Sequence, residues 1–81
     1  MERVKIENKA MQIIADLVSI SIKDVRIESS FVNDLHFDSL DAVELIMEIE
    51  DEFQISITDE EAEKLMTVGI LVDFLETKIK D

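Results

Sequence analysis

Three side chains with chemical capability stand within four positions: His36, Asp38 and Ser39, in the stretch H-F-D-S-L-D. Serine, histidine and aspartate are the components of a hydrolytic triad. A triad, however, needs three groups converging in space beside an oxyanion hole, and neighbours in one short segment rarely converge that way. The G-x-S-x-G elbow that presents a nucleophilic serine is also missing. Catalysis by His36 and Ser39 is therefore not expected, and His36 reads as an exposed loop residue. Nearby carboxylates suggest calcium, but an EF-hand loop needs D-x-[DN]-x-[DN]-G and a later Glu. Asp34, Asp38 and Asp41 have the wrong spacing, with no glycine between them. Weak divalent binding at the acids is expected, and no dedicated metal site. The chain has no Cys, which excludes disulfides, thiolate ligation and thiolate catalysis of its own.

Two readings of Ser39 remain. A serine at a helix start, after Asp, is commonly part of the cap. Alternatively it carries a group. A helix N-terminus offers unpaired N–H groups and the positive end of the dipole, so a phosphate on Ser39 would be well placed. Asp38 and Asp41 would oppose a bare phosphate, yet would attract a basic enzyme that installs a group there.

The elements that must position these residues are helical. Ala10, Ile13, Ile14, Leu17 and Val18 follow the i, i+3, i+4, i+7 rule and predict a first helix over roughly 2–19. A long connection over about 20–38 follows, of the length that often carries function. Val25, Ile27, Phe31, Val32, Leu35 and Phe37 are expected to pin it to the core. The apolar-polar runs 20–27 and 54–57 resemble strands, but a helical domain this small has no sheet to pair them with. Asp38 and Asp41 form a capping-box-like start for a second helix over 39–53. Thr58 and Glu61 cap a short third helix near 59–65. Thr67 caps a last one reaching about Ile79, with Ile70, Leu71, Phe74, Leu75 and Ile79 as its apolar face. The expected fold is all-α: a small bundle of three main helices and one short one.

The length of 81 residues points to one domain, 1–81. A chain this short buries only about 60% of its unfolded surface. It carries 20 acids against 8 bases, a net charge of −12. Nucleic-acid binding and adhesion to anionic membranes are disfavoured, because both need clustered Lys and Arg. Partners are expected to be basic, and their association salt-sensitive. The charge is concentrated: Asp34 to Glu61 holds eleven acids and no Lys or Arg. There is no charged-then-apolar leader and no apolar run of about 18 residues, so neither a signal peptide nor a membrane span is expected.

On a helix of about 100° per residue, Ala42, Leu45, Ile46, Ile49 and Phe53 form a core stripe. Leu40, Val43, Glu44, Met47, Glu50 and Asp51 form a second face. Either Leu40, Val43 and Met47 widen the core, or they stand exposed among carboxylates as in a transient protein–protein site.

The stretches FVNDLHFDSLDAVELIMEIEDEF and ISITDEEAEKLMTV strongly resemble acyl carrier proteins of the dissociated (type II) fatty acid synthesis kind. The likeness is close over about 31–68 and looser over the outer helices. D-S-L alone is weak; D-S-L-D-x-V-E-L with D-E-E-A-E-K at this spacing is highly specific. The resemblance implies a four-helix fold and no catalysis by the chain itself. It implies that a phosphopantetheinyl transferase attaches 4'-phosphopantetheine from coenzyme A to Ser39, and that the acyl chain rides as a thioester on its thiol. Asp38, Asp41, Glu44, Glu50 and Asp51 would meet basic patches on fatty acid synthesis enzymes. Leu40, Val43, Met47 and Ile57 would form the apolar centre of that contact. Ile46, Ile49 and Phe53 would border an acyl cavity. The carrier would act as a monomer, in a bacterial cytoplasm or an organelle matrix, the initial Met without a leader leaning towards a bacterium.

The sequence departs from the commoner pattern at His36, where many members have Gly, and at Phe37, where Ala or Leu is frequent. Phe37 would narrow or reshape the cavity mouth. Thr58 replaces a frequent Pro but can still cap, and the first loop lacks its usual Gly. Two other readings stand beside this one. The chain could be a specialised carrier for another acyl or aminoacyl group, or an acidic adaptor subunit that does not need the arm.

Overall fold

The computed structural model describes residues 2–79. Four helices follow in order: α1 (Arg3–Val18), α2 (Ser39–Phe53), α3 (Asp59–Glu63) and α4 (Val68–Lys78). The expected all-α bundle of three main helices and one short one is what forms, with no strand among the described residues. The runs that resembled strands contain instead a short 3₁₀ turn at Ile22–Asp24 and irregular chain.

Local chemistry sets the ends. α1 closes on Ser19 in a left-handed conformation (φ 59°), whose N–H donates to the Ala15 carbonyl. α2 closes the same way on Gln54 (φ 56°). These C-caps usually fall to glycine, and here polar side chains fill them. α3 is two residues shorter than expected. The N–H groups of Lys64 and Leu65 turn back to the carbonyls of Glu61 and Ala62, a tightening to i→i+3 bonds that ends the helix.

α1 is the centre of the bundle, packing on α2, α4 and the 3₁₀ turn. Ile6, Ile14, Ile49, Leu71 and Leu75 are wholly buried among these three helices. On α4 the buried stripe is Val68, Leu71, Val72 and Leu75, while Ile70 is exposed and Phe74 half-buried. The expected face was thus rotated in phase. A helix that is apolar nearly all round does not reveal its inward side by periodicity.

In the long connection Val25, Phe31 and Phe37 are buried and Leu35 half-buried, but Ile27 and Val32 are exposed, against expectation. Backbone, not those side chains, holds the segment. The N–H groups of Val68 and Gly69 donate to the carbonyls of Ser29 and Ile27 at 3.0 and 2.7 Å, and Phe31 N–H donates to Met66 at 3.1 Å. The loop thereby satisfies donors that the start of α4 leaves unpaired. The chain's single glycine sits at this junction. A Cβ on Gly69 would lie 2.9 Å from Ile27 Cγ2 and 3.1 Å from its carbonyl oxygen, so any larger residue would push the Ile27 segment away.

Ion pairs stitch the helices from outside. Arg3 on α1 donates to Asp73 and Glu76 on α4, each at 2.8 Å, and to Glu7 at 3.0 Å. The bonds to Asp73 and then Glu76 raise the Arg3 pKa above its ordinary value. Lys9 reaches Glu52 on α2 at 2.8 Å, and Lys78 reaches Glu61 on α3 at 3.1 Å. No helix among the described residues is long and apolar enough to cross a membrane.

Candidate functional site at the start of α2

Asp38 starts α2. Its carboxylate accepts the Asp41 N–H at 2.9 Å, while the Asp41 carboxylate accepts the Asp38 N–H at 3.2 Å. This is a capping box with a short acid in the distal position. Ser39 therefore falls one position inside the helix, exposed, and takes no part in the capping bonds. The reading of Ser39 as a mere cap fails, because Asp38 already does that work.

His36 does not reach the serine's side of the helix. It is exposed, takes a left-handed conformation (φ 58°), and borders a notch of about 460 Å³ with Leu17, Ile20, Asp34 and Asp41. Ser39 opens on a different and larger cleft of about 980 Å³. No hydrogen bond joins His36, Asp38 and Ser39 as a triad among the described residues, so the hydroxyl has no base of its own. Among those residues no group of three or more His, Asp or Glu side chains is placed to hold a metal.

The second face of α2 becomes intelligible here. Ser39, Ala42, Val43, Ile46, Met47 and Glu50 all line the large cleft. They stand at i, i+3, i+4, i+7, i+8 and i+11, one continuous face about 16 Å long. Leu45, Ile49 and Phe53 make the buried stripe. Ala42, expected in the core, is exposed on the cleft face instead. Of the three residues expected to border an acyl cavity, Ile46 lines the cleft; Ile49 and Phe53 pack into the core and do not. The two stripes are adjacent: half-buried Ile46 lies on their boundary, and Leu45 of the buried stripe also reaches the cleft.

The other walls come from Phe31, Val32 and Phe37 of the long connection, from Ala62 and Leu65, and from Met66 before α4. Ile57 also lines the cleft and is buried, 8% exposed, rather than standing free in a contact surface. Its N–H donates to Glu50 Oε2 at 2.8 Å. Glu50 is thus half-buried and engaged in holding the α2–α3 link. Leu40, Val43 and Met47 are 64%, 56% and 62% exposed, so they do not widen the core. Asp38, Glu44 and Asp51 are exposed beside them and Asp41 half-exposed. Exposed Val32 and Met66 complete the cleft rim. Neither was foreseen as part of the site, because neither belongs to a periodic segment that would have marked it.

α3 has no fully buried residue. Its Glu61 accepts the Thr58 N–H at 3.0 Å and a bond from Lys78. The Thr58 N–H first, and then Lys78, hold the Glu61 carboxyl below its ordinary range.

Residues 8–75 match the family described as the phosphopantetheine attachment site. The chain is 48% identical over 79 residues, 98% of each chain, to the acyl carrier protein of Thermosynechococcus vestitus. The local structure fits such a group: an exposed hydroxyl at a helix N-terminus, heading an extended face with apolar side chains. The cleft of about 980 Å³ adjoins it. On this evidence the chain belongs to the phosphopantetheine-attachment family as an acyl carrier, bearing 4'-phosphopantetheine and delivering cargo to enzymes rather than acting as one.

Proposed function

We propose that Ser39 is the attachment point for 4'-phosphopantetheine and that the chain carries the growing acyl chain of fatty acid biosynthesis. The observation that carries this reading is the division of labour at the start of α2: Asp38 caps, and Ser39 is left exposed at the head of the cleft face. When bound, the group supplies a terminal thiol that holds the acyl chain as a thioester.

The chain's own residues have three tasks. The unpaired N–H groups of the first turn and the helix dipole favour a phosphate at the Ser39 hydroxyl. Ala42, Val43 and Ile46 give an apolar track along which cargo lies, favoured by about 0.8 kcal/mol per buried CH₂. Exposed Leu40, Val43 and Met47, ringed by Asp38, Asp41, Glu44 and Asp51, present an apolar centre with an acidic border. That surface suits a phosphopantetheinyl transferase and fatty acid synthesis enzymes with basic docking patches. Charge speeds encounter more than it tightens the complex, as a carrier that must release its cargo requires. The carrier acts as a monomer, in a bacterial cytoplasm or an organelle matrix.

Intact mass before and after incubation with coenzyme A, magnesium and a broad-specificity phosphopantetheinyl transferase tests this. Wild type is expected to gain one phosphopantetheine and Ser39→Ala none. No gain by a folded, unmodified wild type would remove Ser39 from the role and leave an acidic adaptor as the better account.

A further inference from the structure

We infer that Phe37 sets the length of acyl chain that the cleft accepts; this rests on the reading above that the cleft shelters the cargo. Phe37 stands two residues before Ser39 and lines the same cleft. It is only 7% exposed, and its ring lies 5.1 Å from that of Phe31 at an interplanar angle of 57°. Such a tilted pair is a favourable aromatic arrangement. The backbone ties the same two residues, with Phe37 N–H donating to the Phe31 carbonyl at 2.8 Å. Phe31 is held in turn by its N–H bond to Met66. The Phe37 ring is thus anchored at both side chain and main chain. It is a wall of the cleft packed on Phe31.

The opposite boundary is unlike it. The first cleft residue of α2 after Ser39 is Ala42, whose side chain is a single methyl. Of the cleft residues near the serine, Ala42 offers a single methyl and Phe37 a buried ring. At the distal end of the α2 face stands Glu50, half-buried and bonded to Ile57 N–H, a poor neighbour for a methylene chain. Among the cleft-lining residues Phe37 carries the aromatic ring nearest in sequence to Ser39, and that buried ring takes up apolar volume a cargo would otherwise fill. A smaller side chain at this position extends the apolar space towards Phe31 without touching the hydroxyl, the cap or the exposed acids.

The test loads wild type, Phe37→Leu and Phe37→Ala with acyl-phosphopantetheine from butyryl- through palmitoyl-coenzyme A. Intact mass confirms loading. The melting midpoint of each acyl form is then compared with that of the same protein bearing the unacylated arm. In wild type the stabilisation is expected to grow with chain length and then level off. In Phe37→Leu it levels off at a longer chain, and in Phe37→Ala at a longer one still. Phe37→Leu retains most of the apolar contact and carries the test if the alanine variant does not fold. Levelling at the same length in wild type and Phe37→Leu overturns the inference. So does a loaded wild type that gains no stability from any chain. Failure of wild type to load at all instead overturns the attachment reading, and the inference with it.

Discussion

Asp38 has two roles that substitution separates. Asp38→Ala removes the acceptor for the Asp41 N–H and is expected to cost about 1 kcal/mol of stability, read from urea unfolding. Asp38→Asn keeps an oxygen acceptor and the midpoint, but removes a charge beside Ser39. Loading by the transferase then slows, and its dependence on salt weakens, as stopped-flow at two ionic strengths would show. At His36 the left-handed backbone (φ 58°) gives the local reason why glycine suits this position. His36→Gly is expected to leave stability within about 1 kcal/mol, since relief of strain and added freedom of the unfolded chain oppose each other. His36→Val, β-branched, is expected to lose about 1 kcal/mol or more in the same unfolding assay.

Gly69 shows how one element constrains another. Alanine is the better helix former, yet Gly69→Ala would press a methyl to 2.9 Å from Ile27 Cγ2 and 3.1 Å from its carbonyl oxygen. A loss of about 1–3 kcal/mol is expected from chemical denaturation, as for an overpacked site. α3 offers a pH signature. Its Glu61 titrates below the ordinary value of 4.5, so the unfolded chain takes up the proton first as pH falls. The stabilisation is whole above about 4.5 and fades as pH drops through the lower folded value. Glu61→Gln should flatten that acid limb in melting scans across pH 2–6, the two proteins converging at the acid end. Helix starts were legible in the sequence because caps are local: Asp38 with Asp41, Thr58 with Glu61, and Thr67 each did their work within three residues. The inward phase of α4, the exposure of Ile27 and Val32, and the burial of Ile57 were not. Each depends on where a distant segment lies. The cleft face of α2 was half legible: its apolar and acidic mixture marked it, but Ala42 joined it only once the core had claimed Leu45, Ile49 and Phe53.

Across the whole molecule, 12 excess negative charges repel one another most strongly in α2 and α3, where the acids are concentrated. Raising ionic strength from a few millimolar to about 0.15 M, where the Debye length is about 8 Å, is expected to raise the melting midpoint. Arg3 works in the opposite sense. Arg3→Ala is expected to lower the midpoint most at low salt, the gap narrowing as salt screens its pairs with Asp73 and Glu76. The backbone bonds from Phe31, Val68 and Gly69 join stretches about forty positions apart, whereas each helix closes its hydrogen bonds within four. Closing so large a loop delays a contact in folding. In the finished protein the same junction is expected to yield before the helix core. The amide protons of Phe31, Val68 and Gly69 should exchange with deuterium through a partial opening that leaves those of Ile14 and Leu75 protected. On the proposed reading that the cleft shelters the cargo, the rate of that opening would bound how soon the chain can come out.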